Sequence, residues 1–189
     1  SFPTRRSSDL QEETTEQVDQ QQQQDEDTNT QQTEHEAEFH GNKVAGVDLR
    51  GKFQNAFGVA LEYRFRVSGT QDEWQTVDIT KSHTLQSNVY DVQTRQPFGK
   101  WKDAGTMQVK IYYNLGFVVE GHEAGGVLID GQSASSAKVY QNEAVTFSVK
   151  DIDGYDVTVE GVTQNENGTY TVASVQADTT VKVVYTLRQ

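Results

Sequence analysis

The sequence predicts an all-β protein with two small antiparallel β-sandwich domains behind a disordered N-terminal tail. Two observations predict this fold class. Apolar and polar residues alternate with a period of two in many short stretches, which is typical of strands that bury one face. Turn residues separate these stretches at intervals of roughly ten residues, a spacing typical of sandwiches. No segment combines a helical period with capping residues, so we expect no helix.

The N-terminal part of the chain is not expected to fold. Residues 1–10 resemble a translated sequencing adapter, so we treat them as an artefact and expect the natural start of the protein to be missing. Residues 11–41 consist mainly of Gln, Glu, Asp and Thr. Such a segment cannot bury enough apolar surface to offset its chain entropy. We therefore predict a disordered acidic spacer over residues 11–41.

The charge of the chain excludes several classes of partner. The formal net charge is −12, and residues 11–40 carry ten acidic side chains and no Lys or Arg. An acidic chain argues against nucleic acid or an anionic membrane as the main partner. No apolar run approaches the roughly 20 residues that cross a bilayer, so we expect no membrane insertion. The chain has no cysteine, which excludes disulfides and thiolate chemistry.

The first predicted domain covers residues 43–114. Apolar residues recur at every second position from Val59 to Val67, which predicts an amphipathic strand. The stretch from Trp74 to Ile79 is expected to pair with it. A further alternating stretch runs from Met107 to Tyr113. These stretches together predict a β-sandwich.

The second predicted domain covers residues 115–187. Alternation is regular in residues 145–149, 155–159, 170–172 and 181–185, with turn residues between them. One of these turns contains Asn167-Gly168, a strong hairpin signal because both residues tolerate a positive φ. The sequence therefore predicts a second β-sandwich.

Motifs in this second domain resemble a known module. The chain reads Gly154-Tyr155 after a turn, then Gly168-Thr169-Tyr170-Thr171, then alternating valines in residues 181–184. Over about residues 117–186 it is similar to the divergent and immunoglobulin-like repeats of bacterial surface proteins, the group related to internalin B-repeats. The resemblance implies an immunoglobulin-like fold, an extracellular stalk or adhesion role, and no catalytic residues to transfer.

Two aromatic residues are candidates for sugar stacking. Tyr112 falls on the opposite face of its strand from Met107, Val109 and Ile111, and Trp101 lies between two lysines in a predicted loop. Exposed aromatic rings on a sandwich are a common way to bind carbohydrate. Core packing accounts for most aromatic residues at alternating positions, so binding is the less favoured interpretation.

Two acidic residues form a candidate calcium site. Asp151 and Asp153 lie two apart before Gly154, as carboxylates do in calcium loops. Calcium needs six or more oxygen ligands, and no further carboxylate follows at the usual spacing, so a plain turn is favoured. His35 and His40 are five apart, whereas a helical zinc pair is four apart, which disfavours a zinc site.

The function expected from these patterns is non-catalytic. No nucleophile elbow, phosphate loop or dinucleotide fingerprint occurs, so we predict no catalytic residues and no cofactor. The leading hypothesis is a structural or adhesion segment of a bacterial cell-surface or secreted protein, located outside the cell or in the cell wall, whose partner is an extracellular protein or a glycan. One alternative is a carbohydrate-binding module. Another is a set of accessory domains of a secreted hydrolase whose catalytic part is missing.

Overall fold

The computed structural model describes residues 34–189. These residues form fourteen strands and one α-helix. In chain order the elements are β1 (Glu34–His40), β2 (Lys43–Ala45), α1 (Gly46–Phe57), β3 (Glu62–Val67), β4 (Gln75–Thr76), β5 (Ser82–Thr84), β6 (Asn88–Arg95), β7 (Lys102–Glu120), β8 (Val127–Ile129), β9 (Gln132–Ala134), β10 (Ser136–Tyr140), β11 (Val145–Val149), β12 (Tyr155–Val159), β13 (Tyr170–Val172) and β14 (Thr179–Leu187).

The predicted all-β class is confirmed, since strands dominate the described part of the chain. The expectation of no helix is wrong, because α1 covers twelve residues. Leu49 and Phe53, four apart, are both 1 % exposed and hold α1 against the sheet. No side chain caps the helix at Ala45, and its middle contains Gly51, a residue that disfavours helix formation. The helix is therefore stabilised by tertiary packing rather than by local signals, which is why the sequence did not reveal it.

Strand β7 is the centre of an eight-stranded sheet. Its nineteen residues correspond to a length of about 60 Å. Tyr112, near its middle, pairs with both His40 and Tyr140, so β1 and β10 lie on opposite edges of β7. Antiparallel β6 and β10 follow one another along one edge. Parallel β1 and β14 follow one another along the other edge, whereas the sequence predicted antiparallel pairing.

The remaining strands complete three sheets. In the large sheet β3 and β4 continue outward from β6, and β12 continues outward from β14. A second sheet has the strand order β13-β11-β8-β9, and β2 pairs with β5 in a short ribbon. The turn predicted at Asn167-Gly168 is present, but only Gly168 has a positive φ, of 84°.

The core lies on one side of the large sheet and differs between its two halves. In the first half, Phe53 of α1 packs edge-on against Phe65 and contacts Tyr63, at centroid distances of 6.1 and 5.8 Å. In the second half, Phe117 of β7 packs against Phe147 of the second sheet at 5.0 Å, which gives the sandwich-like arrangement. The first half is thus a sheet covered by a helix, and the second half is two packed sheets.

The predicted domain boundary between residues 114 and 115 falls inside β7. A buried glutamine, Gln141, joins the two halves at the point where β10 ends and β6 begins. Its side chain accepts a hydrogen bond from the Ser87 N–H at 2.8 Å and donates one to Gln86 at 2.6 Å. The Ser87 hydroxyl in turn accepts from the Ile111 N–H of β7 at 2.9 Å. The edge of β7 therefore stays hydrogen-bonded across the junction.

The end of the predicted spacer is ordered, which corrects the expectation of disorder there. Residues 34–40 form β1, and Ala37 and Phe39 are buried in the core. Glu36, Glu38 and His40 alternate with them and point away from it. The adapter-like residues 1–10 and the remaining spacer, residues 11–33, lie outside the described residues.

Candidate functional site

The outer face of the large sheet, the side away from the core, carries the polar and aromatic groups of interest. Residues at even positions of β7 point to this face, since those at odd positions from Met107 to Phe117 are buried. Arg64 and Arg66 of β3 alternate with the buried Tyr63 and Phe65 and share this face. Two groups of residues stand out on it, one in each half of the sheet.

The first group is a tryptophan–arginine stack at the β3–β6 end. It consists of Trp74, Arg66, Arg64, Trp101 and Arg95. The guanidinium of Arg64 lies 4.9 Å from the Trp74 ring and 4.6 Å from the Trp101 ring. Arg66 lies 4.4 Å from Trp74, and Arg95 lies 4.3 Å from Trp101. All four distances fall within the range of cation–π attraction.

Polar partners hold the arginines of this stack in place. Arg95 is ion-paired with Glu62 directly across the strands, and Arg64 donates to the Gln93 side-chain oxygen at 2.8 and 2.5 Å. Gln93 donates onward to Asp103 at 2.5 Å. Burial, followed by repulsion from Arg95 and Arg66, lowers the pKa of Arg64. An arginine remains charged at neutral pH under such conditions.

The second group surrounds Tyr112. Its ring stacks on the ring of His40 at a centroid distance of 5.3 Å, and the Lys138 ammonium lies 4.2 Å from its centroid. Glu38 accepts hydrogen bonds from Lys138 and from the Tyr140 hydroxyl, each at 2.5 Å. These bonds lower the pKa of Glu38 and raise those of Lys138 and Tyr140. The group therefore links β1, β7 and β10 across the sheet.

The two predicted sugar-stacking residues are not neighbours. Trp101 lies just before the start of β7 and Tyr112 lies past its middle, roughly 35 Å along the strand. Each ring is also in contact with cationic or imidazole groups of the protein, so neither is an open platform. Any sugar site would therefore be built around one of them at a time.

A third arrangement joins β1 to β14 end to end. His40, the last residue of β1, has its Nε2 2.9 Å from both carboxylate oxygens of Asp178, the residue before β14. Asp178 also accepts a hydrogen bond from the Asn114 N–H of β7 at 2.8 Å. This bond is the main cause of the lowered pKa of Asp178, and His40 is the next. Asp178 thus provides a hydrogen-bond acceptor for β7 at Asn114, between the segments of β7 that pair with β1 and with β14.

The predicted calcium residues lie in an exposed turn before β12. Asp151 and Asp153 are both exposed, and the turn closes through a hydrogen bond from the Tyr155 N–H to the Ile152 carbonyl at 3.1 Å. In residues 34–189 no group of three or more His, Cys, Asp or Glu side chains is placed to hold a metal ion. His35 and His40, five apart in a strand, point to opposite faces.

Sequence reasoning missed the arginine stack and the His40–Asp178 pair. The alternation of Arg64 and Arg66 with buried aromatic residues was a usable signal for the stack, because it places two cations on one face beside any nearby tryptophan. The His40–Asp178 pair joins residues 138 positions apart, and no local pattern indicates it.

Searches against known protein families, curated proteins and solved structures found no match for this chain. Within residues 34–189, the single helix is too short to cross a bilayer.

Proposed function

We propose that this chain is a non-catalytic, force-bearing adhesion segment of a bacterial cell-surface or secreted protein. The observation that carries the proposal is the position of the first and last described strands. Both β1 and β14 run parallel to β7 along the same edge of it, one after the other. The chain therefore enters the fold at one end of β7 and leaves it at the other.

This arrangement suits a segment that is pulled from both sides. Tension between β1 and β14 passes into β7 through the seven residue pairs of the β1 ladder and out through the six pairs of the β14 ladder. Because the tension runs along the strands, it loads all hydrogen bonds of a ladder together. Tension across the strands would instead break the bonds one after another.

The junction between the two ladders is also reinforced. His40 and Asp178 bind each other, and the Gly41 N–H donates to the Tyr112 carbonyl at 2.9 Å. Asp178 accepts from the next free amide, that of Asn114. The edge of β7 is therefore hydrogen-bonded through the region where β1 ends and β14 begins.

An extracellular setting is part of the proposal and is supported by the sequence. The acidic spacer and the resemblance of residues 117–186 to bacterial surface repeats both agree with it. In such a setting the spacer would hold the folded part away from its point of attachment, and the folded part would transmit tension to a bound partner.

Single-molecule pulling tests the proposal directly. Since the chain has no cysteine, handles can be attached at chosen sites. The pair Glu34→Cys and Gln189→Cys loads β1 and β14 along their length. The pair Gln75→Cys and Thr158→Cys, on the edge strands β4 and β12, loads the sheet across its strands. We expect a clearly higher unfolding force for the first pair.

The two cysteine variants serve as controls for each other. Their unfolding free energies are measured by urea denaturation, so that a difference in unfolding force can be separated from a difference in stability. Equal unfolding forces along and across the strands, at equal stability, would contradict the proposal. A lower force along the strands would do the same.

A second candidate function is carbohydrate binding, as an adhesion segment or a separate module. The observation that favours it is the presence of Tyr112 and Trp101 on or beside the outer face of the sheet, within reach of hydrogen-bonding side chains. Quenching of tryptophan fluorescence by an oligosaccharide is the readout that reports on Trp101.

A further inference from the structure

The strongest unassigned feature is a cavity at the end of the first half, where the chain turns from β6 into β7. It has a volume of about 450 Å³, within the usual size range of ligand sites. Arg95, Lys100 and Lys102 line it on one side, and Phe57, Val59 and Ala60 line it on the other. None of its lining residues carries a carboxylate. In a chain of net charge −12, this is a local excess of positive charge.

The cations of this cavity differ in how they are engaged. Arg95 is held by Glu62 and lies against the Trp101 ring, so its position is fixed. Lys100 and Lys102 are exposed, and neither makes an ion pair with any residue of the described range 34–189. Within residues 34–189 the site therefore offers an anionic ligand one positioned guanidinium and two exposed ammonium groups that have no ion-pair partner.

Exposed apolar groups lie in and near the same cavity: Val59 is part of its lining, and Phe98 lies in the turn between the lining residues Gln96 and Gly99. Val59 is 83 % exposed, and Phe98, in the turn between β6 and β7, is fully exposed. Phe98 also has a φ of 57°, an uncommon conformation for a bulky residue. Val59 therefore adds an exposed apolar group to the cationic lining of the cavity.

We propose that this cavity binds an acidic polysaccharide, one that carries carboxylate or sulfate groups. The proposal rests on the proposed adhesion function, for which it names the class of partner. A polysaccharide of this kind presents negative charges at regular intervals, and between them the apolar faces of sugar rings. The cavity offers the complementary arrangement, with Arg95, Lys100 and Lys102 for the charges and the apolar side formed by Phe57, Val59 and Ala60 for the sugar rings. Charge attraction would be strongest at low ionic strength.

Binding is measured by isothermal titration calorimetry with three oligosaccharides and one peptide chain. The oligosaccharides are a hyaluronan hexasaccharide and a hexagalacturonate as acidic ligands, and cellohexaose as a neutral one. We expect both acidic oligosaccharides to bind, with affinity falling as salt is added, and cellohexaose not to bind. Poly-glutamate serves as an acidic chain without sugar rings and is expected to bind more weakly than either acidic oligosaccharide.

The double variant Lys100→Ala/Lys102→Ala assigns the site. We expect it to weaken binding of the acidic oligosaccharides by roughly tenfold, since two surface charge contacts are lost. The matched control Lys43→Ala/Lys81→Ala removes two exposed lysines elsewhere and is expected to bind as the parent chain does. Val59→Ser, on the apolar side of the cavity, is expected to weaken binding while keeping the charges of the site.

Four outcomes overturn the inference. They are no binding of either acidic oligosaccharide, equal loss in the control variant, equal or tighter binding of poly-glutamate, and binding of cellohexaose alone. The last result would still leave carbohydrate binding in place. The pulling experiment is independent of all four, because Lys100 and Lys102 contact neither β1 nor β14, so its result separates failure of this site from failure of the proposed function.

Discussion

Single side chains close the gaps that the strands of this protein leave open. Asp178 is the clearest case, because its carboxylate takes the Asn114 N–H of β7 and binds His40 of β1 at the same time. Gln141 plays a similar part on the opposite edge of β7. In both cases a side chain continues hydrogen bonding where one paired strand ends and the next begins.

At this residue scale, Asp178→Ala is expected to lower the unfolding free energy at neutral pH by about 1 kcal/mol or less, since the contacts are partly exposed. The pKa of Asp178 is lowered in the folded protein, so its contribution is fully present above about pH 4. It is lost as the pH falls through the folded pKa. Urea denaturation at a series of pH values should therefore show that the unfolding free energies of the parent chain and of Asp178→Ala become equal in strongly acidic solution.

The matched control for this prediction is Asp153→Ala, which removes an exposed aspartate that lies in a turn. Its stability difference from the parent chain should be small and should not depend on pH in the same range. A difference for Asp178→Ala that persists unchanged at the most acidic pH would contradict the assignment.

At the scale of elements, two segments are ordered by their partners rather than by their own sequence. The helix α1 has no side-chain cap, and β1 belongs to a stretch rich in Glu. Each nevertheless contributes two buried apolar residues to the core, Leu49 and Phe53 from α1 and Ala37 and Phe39 from β1. Burial of a few well-placed side chains is enough to fix such an element on an existing sheet.

Phe53→Ala tests whether α1 is held in this way. Phe53 contacts Phe57, Tyr63 and Phe65, so its truncation is expected to cost about 3–5 kcal/mol. Val47→Ala, on the same helix but exposed, is expected to change stability by no more than about 0.5 kcal/mol. Urea denaturation followed by circular dichroism measures both, and equal effects of the two substitutions would show that α1 does not dock as described.

At the scale of the whole molecule, β7 makes the two halves mechanically and thermodynamically dependent on each other. It is flanked by β6 and β1 in the first half and by β10 and β14 in the second. A defect that displaces β7 in one half therefore disturbs the same continuous strand in the other half. The force-bearing function that we propose would require this dependence, because both halves would then resist unfolding together.

This dependence predicts that a defect in one half is felt in the other. Val183 of β14 is fully buried in the second half, whereas Trp74 and Trp101 both report on the first. Val183→Ala is expected to cost about 2 kcal/mol and to shift the unfolding midpoint seen by tryptophan fluorescence. Val184→Ala, on the outer face of the same strand, serves as the control. A tryptophan-detected midpoint unmoved by Val183→Ala would mean that the halves unfold separately.

The sequence by itself determined the all-β class and the position of most long strands, because alternation of apolar and polar residues reports directly on burial of one face of a strand. It also placed Trp101 and Tyr112 among the residues to examine. The tertiary structure alone decided that the strand containing Tyr112 crosses both halves, that β1 and β14 pair in parallel with it, and that α1 forms. Pairing partners, strand direction and the neighbours of His40 or Lys100 depend on contacts between residues far apart in the chain, and a local pattern carries no record of such contacts.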